Sequence, residues 1–239
     1  MASRGEMLTA TSLLVSLNVG MYLLTTVLGG NALYTDREVL LLLGQDNYAV
    51  TNFGWYWQLL TAMFVHVNIA HIGLNMIFLY LFGKQAEHLF GGRLTLFVYL
   101  ASGLAGNLLS LVAGPSLLSA GASGAIFGLF GSVIMYSSKL RSGSVRGALA
   151  EAAVMFLLNI TVVTNVLAHG GGLIIGLISG YLLARTGSRR IQPYRSWMMH
   201  TAAAEFSPTD IIRDRSGRWC RHPLLSRCLR LPAQDVEIP

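Results

Sequence analysis

Charged residues are scarce in this chain and unevenly placed. Of its 239 residues, 12% are Asp, Glu, Lys or Arg, about half of the roughly 25% found in soluble globular domains. None occurs within residues 47–83, 94–138 or 152–184, and the shortest of these stretches has 33 residues. Because one bilayer crossing needs about 20 apolar residues, the sequence excludes a soluble globular protein and predicts a multi-pass, all-α membrane protein.

Cysteine and intramembrane carboxylates are also scarce. Two cysteines in 239 residues exclude a secreted disulfide scaffold. No Asp occurs between Asn47 and Thr209, so the aspartate pair of an intramembrane aspartyl protease cannot be assembled. The H-E-x-x-H motif of zinc proteases is absent too. The polar groups left for chemistry inside the bilayer are histidine, serine and asparagine.

The apolar runs predict six transmembrane helices. Their approximate bounds are 8–28, 61–83 (or from residue 66), 94–113, 122–138, 148–163 and 167–184. A cleaved signal peptide is the competing interpretation of the first run, but the apolar region of a signal peptide has only 7–15 residues. Between the first two helices, the loop 31–57 carries an aromatic cluster typical of a segment at the headgroup level.

The distribution of basic residues predicts the orientation. If both termini are cytoplasmic, ten basic residues near the spans lie inside and only Arg37 lies outside. The ten are Arg4, Lys84, Arg93, Lys139, Arg141, Arg146, Arg185, Arg189, Arg190 and Arg195. The positive-inside rule therefore favours cytoplasmic termini. The net charge of +6 is explained by this rule and by anionic lipid, so no nucleic-acid partner is predicted.

The sequence predicts two regions of different composition. Residues 1–185 form the six-helix domain, and residues 186–239 form a basic, disordered cytoplasmic tail with nine arginines. The tail also contains Cys220, Cys228 and two histidines. The spacing of these four residues matches no common structural zinc site. No metal is predicted.

The intramembrane polar residues are concentrated where helices begin. His71 and Asn75 are four apart and share one face of helix two. Ser123 begins helix four, where unpaired backbone N–H groups and partial positive charge would stabilise a negative oxygen. His169 begins helix six. Since helices two, four and six start on the same side of the membrane, these groups are expected at similar depths.

Small residues predict which helices approach each other closely. Gly172 and Gly176 follow His169 on helix six, and Gly124 begins a similar stripe beside Ser123 on helix four. Small-xxx-small faces allow transmembrane backbones to meet. If these two faces meet, the serine hydroxyl and the imidazole form a Ser–His dyad without an acidic third member. Taken alone, a glycine-rich motif of this kind usually serves packing only.

Three motifs in this order resemble those of rhomboid intramembrane serine proteases over residues 8–184. They are H-x4-H-x3-N at His66, His71 and Asn75, G-x-S-G at Gly121 to Gly124, and A-H-x-x-G-x-x-x-G from Ala168 to Gly176. Glu87 and Gly91 also resemble the family's turn after helix two. One departure is Gln58, which stands where many members have arginine after a tryptophan.

The resemblance implies a role for each matched residue. Ser123 is the nucleophile and His169 the general base, with His71, Asn75 and the Ser123 backbone N–H as the oxyanion hole. The supporting residues are His66 (interfacial loop), Phe127 (stacking on His169), and the glycines Gly121, Gly124, Gly172 and Gly176. No cofactor is implied. The implied substrates are transmembrane proteins in the lipid bilayer of the plasma membrane, cut near its non-cytoplasmic face.

Two other functions compete with this one. A catalytically inactive rhomboid-like adaptor or chaperone would bind transmembrane clients without cutting them, but such relatives usually lack the serine or the histidine. A small transporter or channel would show internal repeats and polar residues across the midplane. The sequence shows neither, because its polar groups cluster toward one side.

Overall fold

A computed structural model of the chain describes residues 9–140, 146–147, 149–150, 153 and 165–186, and the backbone of residues 211–213 and 219–221. The chain divides into two compact units, Met1–Arg190 and Ile191–Pro239. The predicted fifth helix (148–163), apart from isolated residues, and nearly all of the predicted tail lie outside the described residues.

The first unit is built from α-helices. Its described helices are α1 (Ala10–Gly29), α2 (Arg37–Leu43), α3 (Asn47–Phe53), α4 (Gln58–Thr61), α5 (Ile69–Phe90), α6 (Gly92–Ser110), α7 (Ser123–Leu140) and α8 (Val166–Thr186). A 3-10 turn, Leu111–Ala113, extends α6. Two short strands, β1 (Gln45–Asp46) and β2 (Leu118–Ser119), pair antiparallel with Gln45 opposite Ser119.

Three of the described helices are long and apolar enough to cross a membrane: α1, α6 with its 3-10 extension, and α8. The helices α5 and α7 also have spanning length, 22 and 18 residues, but their polar and glycine residues lower their mean hydropathy. A mostly helical membrane protein is what the composition predicts. The count of six spans and the cytoplasmic placement of both termini stay predictions.

The second predicted helix ends later than the sequence indicates. The sequence predicts a polar turn after Gly83, but α5 continues for seven more residues to Phe90. It stops at Gly91, whose φ of +87° lies in the left-handed region that favours glycine. The other described long helices begin and end within three residues of their predicted bounds.

Glu87 explains why the polar end of α5 stays helical. Its carboxylate accepts hydrogen bonds from the backbone N–H of Ala10 (2.9 Å) and from the hydroxyl of Thr11 (2.8 Å). Lys84, one turn earlier, lies 3.8 Å from the same carboxylate. Because the first N–H groups of a helix have no partner within it, Glu87 satisfies the start of α1 while remaining inside α5.

The loop between α1 and α5 is more ordered than the sequence alone indicates. It contains α2, α3 and α4, and residues 31–61 are called the interfacial segment below. Asp36 begins α2 by accepting from the N–H of Glu38 (2.8 Å), and Asp46 begins α3 in the same way. Its exposed aromatic side chains include Tyr48, Phe53, Tyr56 and Trp57. Exposed aromatic rings of this kind suit the headgroup region.

Gln58 connects parts of the interfacial segment through hydrogen bonds of its side chain. Its side chain is completely buried. The amide nitrogen donates to the carbonyl of Leu41 (2.7 Å), and the amide oxygen accepts from the N–H of Asp46 (2.9 Å). One uncharged side chain thus joins α2, β1 and α4.

The helices α7 and α8 pack backbone to backbone along a seam of small residues. A Cβ atom built on Gly172 would clash with the carbonyl of Gly124, and one built on Gly176 would clash with the backbone of Gly128. Gly180 meets Ser132 in the same way. Side chains are therefore excluded from this seam, and such close approach is what small-xxx-small faces permit.

The second unit is described only in part. Its described backbone forms an antiparallel pair between β3 (Ile211–Arg213) and β4 (Trp219–Arg221), with Ile212 opposite Cys220. The predicted disorder of the rest of the tail stays a prediction.

Candidate active site

Ser123 is the first residue of α7 and follows a glycine with an unusual backbone. Gly121 has φ +141°, and its N–H donates to the carbonyl of Ala62 (2.9 Å). A Cβ at this position would lie 2.7 Å from Cε1 of His71. Both the backbone conformation and the neighbouring ring therefore require glycine two residues before the serine.

His169 and Ser123 are in hydrogen-bond contact. Nε2 of His169 lies 2.7 Å from Oγ of Ser123, although 46 residues separate them. His169 is 4% exposed, and Ser123 is half-buried. The ring of Phe127, one turn after the serine, stacks on the imidazole with centroids 4.6 Å apart and an interplanar angle of 26°. The α7–α8 seam brings these three side chains together.

This geometry suits a serine activated by a neutral imidazole. For Nε2 to accept the hydroxyl proton, the ring proton must reside on Nδ1, a tautomer that is inferred from the hydrogen bond. Among the described residues, no carboxylate pairs with His169. The described contacts therefore make a candidate dyad, and the ring packs against Phe127.

His71, on α5, lies beside the turn that carries the serine, and Asn75 follows it one helical turn later. The ring of His71 faces the α-carbon of Gly121, on the side where any larger residue would carry its Cβ. Asn75 is 6% exposed, and its amide nitrogen donates to the carbonyl of His71 (3.0 Å). Asn68 begins α5 by accepting from the N–H of His71 (2.8 Å). The Asn75 amide is thus turned toward its own helix here.

His66 lies behind His71 and against the interfacial segment. It is fully buried, and its ring centroid is 5.2 Å from that of His71. Its carbonyl accepts from the hydroxyl of Thr35 (2.6 Å), and its Nδ1 lies 3.2 Å from the carbonyl of Phe64. These contacts connect the start of α5 to the residues after α1.

Asn165 is a site residue to which the motifs assign no role. Its amide oxygen accepts from the N–H of Ala168 (3.1 Å), which caps the start of α8 one turn before His169. Its amide nitrogen donates to the hydroxyl of Ser119 (3.1 Å) and also to that of Ser110. The sequence marked it only as one of the polar residues within the apolar region, four residues before His169.

Comparisons with known proteins point to one family. A family model described as the Rhomboid domain matches residues 54–186. The chain is 33% identical over 179 residues to Rhomboid protease GluP of Bacillus subtilis and 32% identical over 155 residues to RHOMBOID-like protein 6, mitochondrial, of Arabidopsis thaliana. It is also 33% identical over 152 residues to the rhomboid protein YdcA of Bacillus subtilis.

The matched regions cover different shares of each chain. They include 74%, 59% and 60% of this chain, and 34%, 46% and 75% of GluP, RHOMBOID-like protein 6 and YdcA, respectively. The chain therefore spans less than half the length of the first two relatives and three quarters of the third. The three sequence motifs that contain the candidate site residues all lie within the matched residues 54–186.

Proposed function

The chain belongs to the rhomboid family, and on that basis we propose that it is an intramembrane serine endopeptidase that cuts transmembrane segments of other membrane proteins. Relatives named rhomboid proteases support protease chemistry within the membrane. The observation that carries the proposal is the 2.7 Å contact between Ser123 Oγ and His169 Nε2. A serine is a weak nucleophile until a base at this distance takes its proton.

In the proposed mechanism, His169 transfers one proton in each of two steps, first from the serine hydroxyl to the departing amine and then from water to Ser123 Oγ. Nε2 takes the Ser123 hydroxyl proton as Oγ attacks the scissile carbonyl carbon, and the carbonyl oxygen becomes an oxyanion. The C–N bond then breaks, and the imidazolium gives its proton to the departing amine. Water attacks the resulting acyl-serine with His169 again as the base, which releases the acid and restores the hydroxyl.

The oxyanion would be stabilised by one backbone donor and by two side chains of α5. The Ser123 backbone N–H is unpaired within α7 because it begins the helix. The His71 side chain lies against Gly121, and the Asn75 amide would turn from the His71 carbonyl toward the oxyanion when substrate is bound. Losing one such donor typically lowers turnover by about 10²–10³.

The position of the site supports cleavage near one membrane face. Ser123, His169 and His71 all lie in the first turn of their helices, which begin at one end of the bundle, called the site end below. By the positive-inside prediction the site end faces away from the cytoplasm, with the plasma membrane as the proposed location. A substrate helix must unwind there to expose a peptide bond, which favours substrates with helix-weakening residues near the cut.

A serine-directed fluorophosphonate probe tests the proposal without a known substrate. In mild detergent, wild-type protein is expected to be labelled at Ser123, and both Ser123→Ala and His169→Ala are expected to lose labelling. Ser132→Ala is the matched control, because this buried serine on the same helix donates to Leu129 rather than to a base. It should be labelled like wild type.

Absence of labelling on folded wild-type protein would contradict an activated serine and favour the adaptor. Labelling that persists in Ser123→Ala would place the reactive residue elsewhere. The protein is then incubated with model transmembrane substrates. The masses of the fragments identify the cleaved peptide bond and show how far it lies from each end of the transmembrane segment.

A further inference from the structure

We propose that Asn165 is a positioning residue for the general base: it holds the first turn of α8, and with it the His169 imidazole, against α6 and β2. The catalytic consequence rests on the proposed function of the Ser123–His169 pair. The positioning itself concerns only the folded structure and is measurable without catalysis.

The Asn165 side chain uses both ends of its amide. The oxygen accepts from the N–H of Ala168 (3.1 Å), and the backbone carbonyl accepts from the N–H of His169 (3.1 Å). The nitrogen donates to the hydroxyls of Ser110, at the end of α6, and Ser119, in β2. One residue thus caps α8 and fastens it to two segments distant in sequence.

These serines belong to a larger network of uncharged groups. The carbonyl of Ser110 accepts from the amide of Asn47 (2.9 Å), whose oxygen accepts from the amide of Gln45 (2.8 Å). Gln45 also pairs with Ser119 in the β1–β2 ladder. Ser110, Asn47 and Gln45 are completely buried. Asn165 is therefore connected to the interfacial segment through Ser110, whose further bonds to Asn47 and Gln45 are shielded from water and strengthened by that shielding.

The close backbone contacts of α8 begin at Ala168, whereas Asn165 anchors the chain just before them. Gly171 and Gly172 pack against the backbones of Gly106 and Gly124, which sets how closely α8 approaches α6 and α7, and Asn165 adds hydrogen bonds at the start of the helix. His169 also has no carboxylate partner among the described residues. A displacement of about 1 Å at a catalytic group can cost about 100-fold in rate. Hydrogen bonds that hold the first turn of α8 in place are therefore expected to affect the reaction rate.

Asn165 could instead serve only as a helix cap, and two variants separate the possibilities. Asn165→Ser keeps a good capping oxygen, but its side chain is too short to span the same distance to Ser110 and Ser119. Asn165→Ala loses both the cap and the anchor. If capping alone mattered, serine would restore normal behaviour. If anchoring matters, serine recovers stability without recovering the position of His169.

The experiment measures the rate of fluorophosphonate labelling per folded molecule, from pH 5 to 9, beside thermal unfolding in detergent. Both Asn165 variants are expected to be labelled at least about 10-fold more slowly than wild type across this pH range. Asn165→Ser should unfold at a higher temperature than Asn165→Ala. Asn18→Ala is the matched control, since this buried amide bonds to Leu14 and Tyr99 away from the site; it should lower stability without slowing labelling.

Wild-type labelling rates in Asn165→Ser, or in the folded fraction of Asn165→Ala, would overturn the positioning role. The ¹⁵N resonance of His169 in histidine-labelled protein reports its hydrogen bond to Ser123 directly. A shifted resonance in Asn165→Ser supports the positioning even if no protein is labelled by the probe, in which case the proposed protease function fails by itself. An unchanged resonance in that variant contradicts the positioning.

Discussion

The α7–α8 seam and the contact between α1 and α5 hold helices together by opposite means. In the seam, Gly172 and Gly176 remove side chains so that the backbones touch. In the α1–α5 contact, Glu87 reaches across to the N–H of Ala10 and the hydroxyl of Thr11. Glycine also occurs there, at Gly83, but the atoms it faces belong to the side chain of Thr11.

The difference indicates why the candidate catalytic pair lies on the seam. Backbone against backbone leaves few alternative arrangements, so residues carried there keep their spacing, as Ser123 and His169 do at 2.7 Å. A contact made by side chains can adjust by changing rotamers. We therefore expect a side chain added at a glycine of the seam to affect stability and chemistry together, and a substitution in the α1–α5 contact to affect stability alone.

The largest effect is expected for Gly176→Ala. Its methyl group would meet the backbone of Gly128, which cannot move without separating the two helices. The expected loss of stability is about 3 kcal/mol, at the upper end of the cost of overpacking, with slower labelling of the molecules that remain folded. Thermal unfolding and fluorophosphonate labelling measure the two effects. A folded variant with wild-type labelling would show that the seam tolerates separation.

An intermediate effect is expected for Glu87→Gln. The amide loses the ion pair with Lys84 and places a donor against the N–H groups of α1. Hydrogen bonds to charged groups contribute about 1.5–3 kcal/mol, so stability should fall by about 1–2 kcal/mol. Labelling per folded molecule should stay at the wild-type rate, since Glu87 does not touch the dyad. Slower labelling at wild-type stability would show that the α1–α5 contact influences the Ser123–His169 pair. It would contradict the expectation that this contact affects stability alone.

The smallest effect is expected for Gly83→Ala, the counterpart of Gly176→Ala. Its Cβ would lie 2.9 Å from Cγ2 of Thr11, a side-chain atom that can shift by a few tenths of an ångström. The better helix propensity of alanine, worth about 1 kcal/mol, offsets that cost, and the net change should stay within about 1 kcal/mol. Thermal unfolding of Gly83→Ala and Gly176→Ala in the same detergent compares the two losses of stability. Equal losses at Gly83 and Gly176 would contradict the distinction between side-chain and backbone neighbours.

Sequence reasoning reached the candidate dyad but not its support. Ser123 and His169 could be paired in advance because the stripes of small residues on their helices predict a close approach. Asn165 could not be assigned a role, since its partners Ser110 and Ser119 lie 55 and 46 residues away and no periodic pattern connects them.

The end of α5 and the interfacial segment show the same limit. A charged stretch after an apolar run favours a turn, and only the partners of Glu87 at the start of α1 explain why the helix continues. Likewise, Gln58 in place of arginine gave no indication of what holds the interfacial segment. The structure buries this amide between Leu41 and Asp46.

Hydrophobicity, charge distribution and small-residue spacing are local properties, and the sequence by itself determined what depends on them: a helical membrane protein, the approximate bounds of four of the five long described helices, and the candidate residues for chemistry. Hydrogen bonds between distant segments depend on how the helices pack. Only the tertiary structure decided that Asn165 meets Ser119, that Glu87 caps α1, and that Gln58 joins the interfacial segment. A buried amide or carboxylate must find partners wherever packing places them, and spacing along one chain does not reveal those partners.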